Sequence, residues 1–307
     1  MKLLEQLCRI PGTSGDEKQI RDFLIQYFQE NAFRFRQPPV LHFGKGFQDS
    51  LLVVFGHPKQ AYFAHLDTIG YTAQYDNHLV PIGGPDGKNG DLLVFEIEDK
   101  TRECRLVEDE DELLLVDYSK TILPGTTLRY KPTFKLDGDW IKSPYLDNRL
   151  GVWALLQLAE RVENVAFAFT TYEEHGGGTA GLLARKLYLD HSVSQVLVTD
   201  VTWSTKGVFP GKGPVVSLRD SRIPRKSYSD AIRQHLTEKQ FSFQLEVEGG
   251  GGSDGREIQN LPFPIDWCFV GPPSENPHSS LEWVHRSDAE AFVDMLEILS
   301  TGVEVPD

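Results

Sequence analysis

Two histidines and a set of acidic side chains stand where this sequence leaves strand-like or apolar runs. The first group is His65-Leu66-Asp67, at the end of the run Ala61 to His65. Residues i and i+2 of a strand face one side, so the Asp67 carboxylate can fix the His65 imidazole as a hydrogen-bond partner. Read alone, the tripeptide is more simply a capped strand end with a hydrogen-bonded histidine. The second group is Tyr145-Leu146-Asp147-Asn148-Arg149. Asp147 opens an apolar helical stretch, where it either caps the helix or offers a carboxylate that bridges two cations. The third is Glu173-Glu174-His175, followed by Gly176, Gly177 and Gly178. Adjacent carboxylates entering a glycine turn suit a metal site in which one ligates and its neighbour handles protons. Asp200 follows the apolar run Val196 to Val198 and reads as a turn residue or a ligand. A second histidine comes from Asn276-Pro277-His278-Ser279-Ser280-Leu281-Glu282, with His285 as its rival. His42, His57, His78, His191 and His235 stand in polar or loop contexts and are expected at the surface. Two histidines with several carboxylates make a mixed N/O donor set suited to Zn²⁺ or a neighbouring divalent ion. The sequence has no phosphate-binding G-x-x-x-x-G-K-[ST] pattern and no G-x-S-x-G nucleophile elbow, which argues against nucleotide binding and a serine hydrolase.

These groups need a scaffold that brings distant segments together. Met1 to Arg9 reads as a short helix broken at Pro11-Gly12. Ser14 is expected to cap a second helix with Asp16 and Glu17 in its first turn. Ser50 to Phe55 and Ala61 to His65 read as strands. From Tyr71 to Trp140 short alternating runs such as Leu92 to Ile97 and Leu113 to Val116 are separated by Gly83-Gly84, Asp86-Gly87, Asn89-Gly90, Pro124-Gly125 and Asp137-Gly138. That texture predicts a small all-β insert. Afterwards helices (146–162, 178–187, 229–240, 287–299) alternate with strands (165–170, 195–199, 243–247, 265–270). The expected fold class is α/β, a mixed central sheet with helices on both faces plus the inserted β-rich domain. Residues 1–70 and 141–307 form the catalytic unit, and 71–140 the insert. Ligand sites in open α/β sheets gather at strand ends, where four of the five groups lie.

The 307 residues carry a net charge of -14, which argues against nucleic acid or an anionic membrane as partner. The densest acidic run, Glu108 to Glu112 with Asp117, is expected to be a solvated loop. No apolar run reaches the ~18 residues of a membrane span. Three widely spaced cysteines, Cys8, Cys104 and Cys268, do not suit a disulfide framework. They point to buried free thiols and a cytoplasmic location.

Taken in order, Pro11-Gly12-Thr13-Ser14-Gly15, His65-Leu66-Asp67-Thr68-Ile69-Gly70, Leu146-Asp147-Asn148-Arg149-Leu150-Gly151, Tyr172-Glu173-Glu174, Asp200 and His278-Ser279-Ser280-Leu281-Glu282 form a pattern. It resembles the glutamyl aminopeptidase, tetrahedral aminopeptidase and cellulase M group of cocatalytic metallopeptidases. The resemblance spans nearly the whole chain. It implies a cytoplasmic aminopeptidase that removes N-terminal residues from peptides with a hydroxide held by two divalent metals per subunit, Zn with Co or Mn as alternatives. It implies that Asp147 bridges the metals, that His65 and Asp200 complete one, and that Glu174 and His278 complete the other. Glu173 would be the general base and Asp67 would orient His65. The insert matches the group's dimerisation domain, implying a homo-oligomer, and Gly249 to Gly252 with Ser253-Asp254-Gly255 resembles its glycine loop beside the active site. Departures are the short insert, His175 and Gly176–Gly178 after the Glu pair, and Pro272, Pro273 and Pro277 near His278. An amidohydrolase or deacetylase acting on small acyl-amines, and a degenerate non-catalytic member, are the alternative readings.

Overall fold

The computed structural model describes residues 1–98, 100–108 and 114–306. Most of the expected acidic loop, 109–113, lies outside the described residues. Along the chain run α1 (Lys2–Arg9), α2 (Lys18–Glu30), β1 (Pro39–His42), β2 (Leu51–Phe55), β3 (Gln60–His65), β4 (Gly70–Ala73), β5 (Leu79–Ile82), β6 (Leu92–Ile97), β7 (Lys100–Glu108), β8 (Leu114–Asp117) and β9 (Thr127–Tyr130). Then come β10 (Lys135–Asp137), β11 (Trp140–Ser143), α3 (Leu146–Leu158), β12 (Val165–Thr170), α4 (Ala180–His191), β13 (Gln195–Thr199), β14 (Thr202–Trp203) and β15 (Val215–Arg219). The chain ends with α5 (Lys226–Glu238), β16 (Gln244–Val247), α6 (Gly255–Gln259), β17 (Asp266–Gly271), β18 (Pro273–Glu275), β19 (Glu282–His285) and α7 (Arg286–Ile298).

An eight-stranded sheet, β1-β2-β12-β3-β13-β17-β15-β16, forms the centre. Its β12, β3, β13 and β17 run parallel, while β1, β2 and β15 make antiparallel pairs, so the sheet is mixed. The parallel strands are apolar along their whole length because both faces are covered; every residue of β3 and β12 is buried. Tyr62 and Ala64 face one core with Leu7, Ile20, Leu150, Ile232 and Phe292 of α1, α2, α3, α5 and α7. Ala61 and Phe63 face the other, with Leu183 and Leu187 of α4 and Ile258 of α6.

A second sheet of six strands, β5-β4-β9-β6-β7-β8, spans Gly70 to Tyr130 around Tyr71, Leu93, Phe95, Leu106 and Tyr130. β10 and β11 leave it and join a five-stranded sheet, β10-β11-β19-β18-β14. That third sheet falls outside the sequence reading, because its strands are short and scattered from Lys135 to His285. β1, β15 and α6 were also missed, each being brief and without marked periodicity.

One expectation at the N-terminus is corrected. Glu17, not Ser14, precedes α2, and Asp16 and Glu17 stand outside the helix. Gly15, at φ +89°, turns the chain there. The Glu17 carboxylate folds back to accept from the Gly15 N–H at 2.9 Å and the Tyr172 N–H at 3.3 Å. Ser14 is thereby freed to donate to Asp67 Oδ2 at 2.5 Å.

Candidate active site

Three neighbouring parallel strands, β12, β3 and β13, end at the same edge of the central sheet. β3 delivers His65, the turn after β12 delivers Glu173 and Glu174, and the residue after β13 is Asp200. The five-stranded sheet supplies the rest. Asp147 follows β11, and His278 lies in the connection between β18 and β19.

The structure brings the five together. His65 Nε2 lies 3.0 Å from Asp147 Oδ1 and 3.3 Å from Asp200 Oδ2. His278 Nε2 lies 3.4 Å from Asp147 Oδ2 and 3.4 Å from Glu174 Oε2. Asp147 thus touches one imidazole with each carboxylate oxygen, and each imidazole faces one further carboxylate. The helix-cap alternative for Asp147 is corrected. Among the described residues its carboxylate takes no helix N–H; the cap-type bond is its neighbour's, from the Gly151 N–H to Asn148 Oδ1 at 2.9 Å, while the Asp147 N–H donates to Glu282 Oε2 at 2.9 Å. The Asp147–Asn148 peptide is cis. Asn148 Nδ2 donates to the Thr199 carbonyl at 2.8 Å, fastening this segment to the end of β13.

Asp67 sits 3.6 Å from His65 Nδ1 through its carboxylate, but the nearer acceptor is its own backbone carbonyl, at 3.1 Å. The carboxylate also takes the N–H groups of Glu173 (3.1 Å) and Glu174 (3.0 Å) together with the Ser14 hydroxyl. It therefore holds the acidic turn as well as the histidine. Arg149, wholly buried, donates to the carbonyls of Leu66 and Ile10 and pins the end of β3.

Sequence reasoning missed two supports. Glu282, on β19, fixes Asp147 from behind; its place in the motif after His278 was the available signal. The insert contributes the other: His278 Nδ1 donates to the Gly84 carbonyl at 3.1 Å, leaving Nε2 to face the carboxylates. Nothing local to Gly83-Gly84 announces this. His175 is exposed and accepts from the Gly83 N–H at 3.1 Å, while His285 pairs with the Ser287 hydroxyl at 2.7 Å. Neither joins the cluster.

Electrostatics follow from packing four carboxylates around two imidazoles out of water. Burial opposes the charged form of His65, yet Asp200, Asp147 and Asp67 hold its pKa well above the ordinary value. Burial likewise opposes charge on His278, and Asp147 and Glu174 push it up to about 10. Burial raises Glu173, reinforced by Asp200, Asp254 and Asp67, and raises Glu174, reinforced by Asp147. Asp147 goes the other way, because both imidazoles favour its charge more than burial opposes it. The cluster calls for cations. Glu174 Oε1 is buried without a hydrogen-bond partner, and a missing ligand accounts for such an orphan. Two imidazole Nε2 atoms and carboxylate oxygens are donors that Zn²⁺ and its neighbours accept. Facing atoms of His65, Asp147 and Glu174 lie within 4.8 Å of one another, a candidate metal site.

The cluster opens into a cavity of ≈ 330 Å³ that runs past Glu173 to Gly250–Gly252, Asp220 and Glu246. Ser253, beyond the glycines, donates to Asp200 Oδ2 at 2.7 Å.

Comparison with known proteins adds the family. Residues 116–295 match the family model for M42 glutamyl aminopeptidase, more than half of the chain. The chain belongs to the M42 peptidase family. Among relatives of this M42 peptidase, a candidate aminopeptidase of Acetivibrio thermocellus is 24% identical, over 96% of each chain. The TET1 peptidase of Pyrococcus horikoshii, which can assemble into a tetrahedron or a large octahedral shell, shares the fold at a TM-score of 0.82 and 23% identity, covering 97% of this chain and 98% of that one. An aminopeptidase from the archaeon Desulfurococcus kamchatkensis matches at 0.85 and 20% identity, over 98% and 94%. M42 peptidases are metal-dependent hydrolases, and the donor set above is one that accepts metal. The three cysteines are free and buried, with thiols pushed up by burial, Cys8 and Cys104 to about 12. No helix among the described residues is long and apolar enough to cross a membrane.

Proposed function

We propose that this protein is a dinuclear metallo-aminopeptidase that removes N-terminal residues from peptides. One observation carries the reading: the Asp147 carboxylate lies between two imidazoles, each with its own second carboxylate. In this reading Asp147 would be shared between two divalent ions. His65 and Asp200 complete one site, and Glu174 and His278 the other. Zn²⁺ is favoured by the N/O donors, with Co²⁺ or Mn²⁺ as substitutes. Bound there, such ions would polarise a carbonyl and make water acidic enough to lose a proton near neutral pH.

The chain's own groups do the rest. Glu173 lines the cavity beside the cluster, and burial gives its carboxylate a raised proton affinity. It takes the proton of the attacking water and returns it to the leaving amine. Asp67 keeps that carboxylate in place by holding the Glu173 and Glu174 N–H groups. A free α-amine on the substrate is a cation, and the acidic cavity favours it over a blocked N-terminus. That preference separates the reading from an amidohydrolase acting on acyl-amines.

The test is turnover of aminoacyl-anilides against N-acetylated amino acids, with metal content measured alongside. Chelator-treated protein is expected to lose anilide turnover and regain it on Zn²⁺ addition. Cleavage of the acetylated compounds alone, or no metal uptake, would overturn the proposal. Proton linkage gives a second check. Both imidazoles hold protons above their ordinary pKa, so an incoming cation must displace them. Affinity for Zn²⁺ is therefore expected to rise with pH, by about tenfold per pH unit for each proton displaced. Calorimetry in two buffers of different ionisation enthalpy reads the proton release; a pH-independent affinity would refute this wiring.

We further propose that residues 1–70 and 141–307 act as the catalytic unit and 71–140 as an insert that also mediates homo-oligomer formation. The assembly of TET1 into larger shells supports this. Buried free thiols support a cytoplasmic setting.

A further inference from the structure

The cavity has a second end that the peptidase chemistry does not use. Asp200 leads directly into Val201, Thr202 and Trp203, and the Thr202 hydroxyl donates to Glu246 Oε1. Glu246, on β16, is 4% exposed, and Asp220, after β15, is 7% exposed. Glu248 stands half-buried beside them, its N–H on the Arg219 carbonyl at 2.9 Å. All three acidic residues line the same cavity as Asp147, Glu173 and His278.

None of these carboxylates is held in an ion pair among the described residues. Among the described residues, no Lys or Arg nitrogen lies within 4 Å of Asp220, Glu246 or Glu248. Arg256 is the one guanidinium on the wall, and its field, with that of Arg222, falls on Asp220. Glu246 and Glu248 are left without a cation. Burial raises the proton affinity of Glu246, and a cation entering the cavity would favour its charged form. The walls leading there are Val201, Trp203 and Phe269, suited to the aliphatic stem of a long cationic side chain. Gly250 and Gly251, on the wall, have no atom within 4 Å of where a Cβ would stand.

We propose that Glu246 and Glu248 form the side-chain subsite of this cavity and select peptides whose N-terminal residue is Lys or Arg. The proposal rests on the aminopeptidase reading and deepens it. An acidic N-terminal residue is disfavoured, since it would meet two carboxylates, with Arg256 the single guanidinium on the wall.

Two readouts test it. With metal supplied, Lys- and Arg-anilides are expected to exceed Glu-anilide in kcat/KM by about a hundredfold. Calorimetric affinity for lysinamide is expected to exceed that for leucinamide by about tenfold, whether or not any anilide turns over. Glu246→Gln and, at the half-buried position, Glu248→Gln are expected to lower the Lys-to-Leu ratio in both readouts by about tenfold. Equal losses for all ligands would place these carboxylates on the α-amine and overturn the subsite. So would a preference for the glutamic acid derivatives, or unchanged ratios in Glu248→Gln with a folded Glu246→Gln. Silent anilides with lysinamide still bound selectively would instead defeat the peptidase reading and leave the subsite standing.

Discussion

Glu173→Gln is expected to lower kcat by about 10³-fold or more while metal content and fold stay as in the wild type. The two side chains have nearly the same shape, and the Glu173 contact with Asp67 is made by the backbone N–H, at 3.1 Å, which the substitution keeps. What changes is the ability to take a proton. An amide cannot accept the proton of an attacking water, and the carboxylate that does so lies in a buried, acidic setting that raises its proton affinity. Three roles for Glu173 predict three different results. A general base gives lost turnover with metals retained. A ligand gives lost metal. A structural residue gives lowered thermal stability with turnover preserved in the folded fraction. Elemental analysis, a melting curve and kcat on the same preparation separate them, and activity near wild type would end the general-base assignment.

The extent to which this site could be read from the sequence follows the physics of each element. β3, β12 and β13 are continuous apolar runs because both sheet faces are covered, and such runs stand out; β12 and β13 match the expected spans. Their ends carry His65, Glu173 with Glu174, and Asp200, so a strand-end rule locates these residues. Asp147 and His278 are different. They come from a sheet of short strands whose pairing joins Ser143 to Glu282 across most of the chain. No local periodicity encodes that register; residue type marked the two as candidates, and the resemblance to a known family gave them their particular ligand roles. Ser14 shows the opposite failure. A serine ahead of an acidic pair has the local look of a helix cap, but Gly15 turns the chain and the long-range bond to Asp67 prevails. The role of Gly84 in orienting His278 was equally hidden, because it depends on how the insert docks against the Pro272–Ser279 segment.

Asp147→Ala is expected to abolish metal uptake at both sites and reduce turnover to background. The residue invites two explanations with different consequences. As a helix cap, its loss would cost about 0.5–2 kcal/mol of stability and leave metal binding intact. The geometry favours the other explanation: a cap-type bond made by Asn148 instead, an N–H held by Glu282, and a carboxylate reaching both imidazoles. Removing it strips one oxygen donor from each proposed site at once. It also removes a charge that keeps both histidines protonated without metal, so their imidazole titrations should move down together. Asp200→Ala offers the contrast. Among the described residues its carboxylate pairs with His65 and not with His278, so one metal per chain is expected to remain. Two metals per chain retained in Asp147→Ala would refute the bridge. An equal loss in both variants would mean that the second ion cannot bind without the first, which measurement of stepwise Zn²⁺ affinities in the wild type would reveal as strong positive cooperativity.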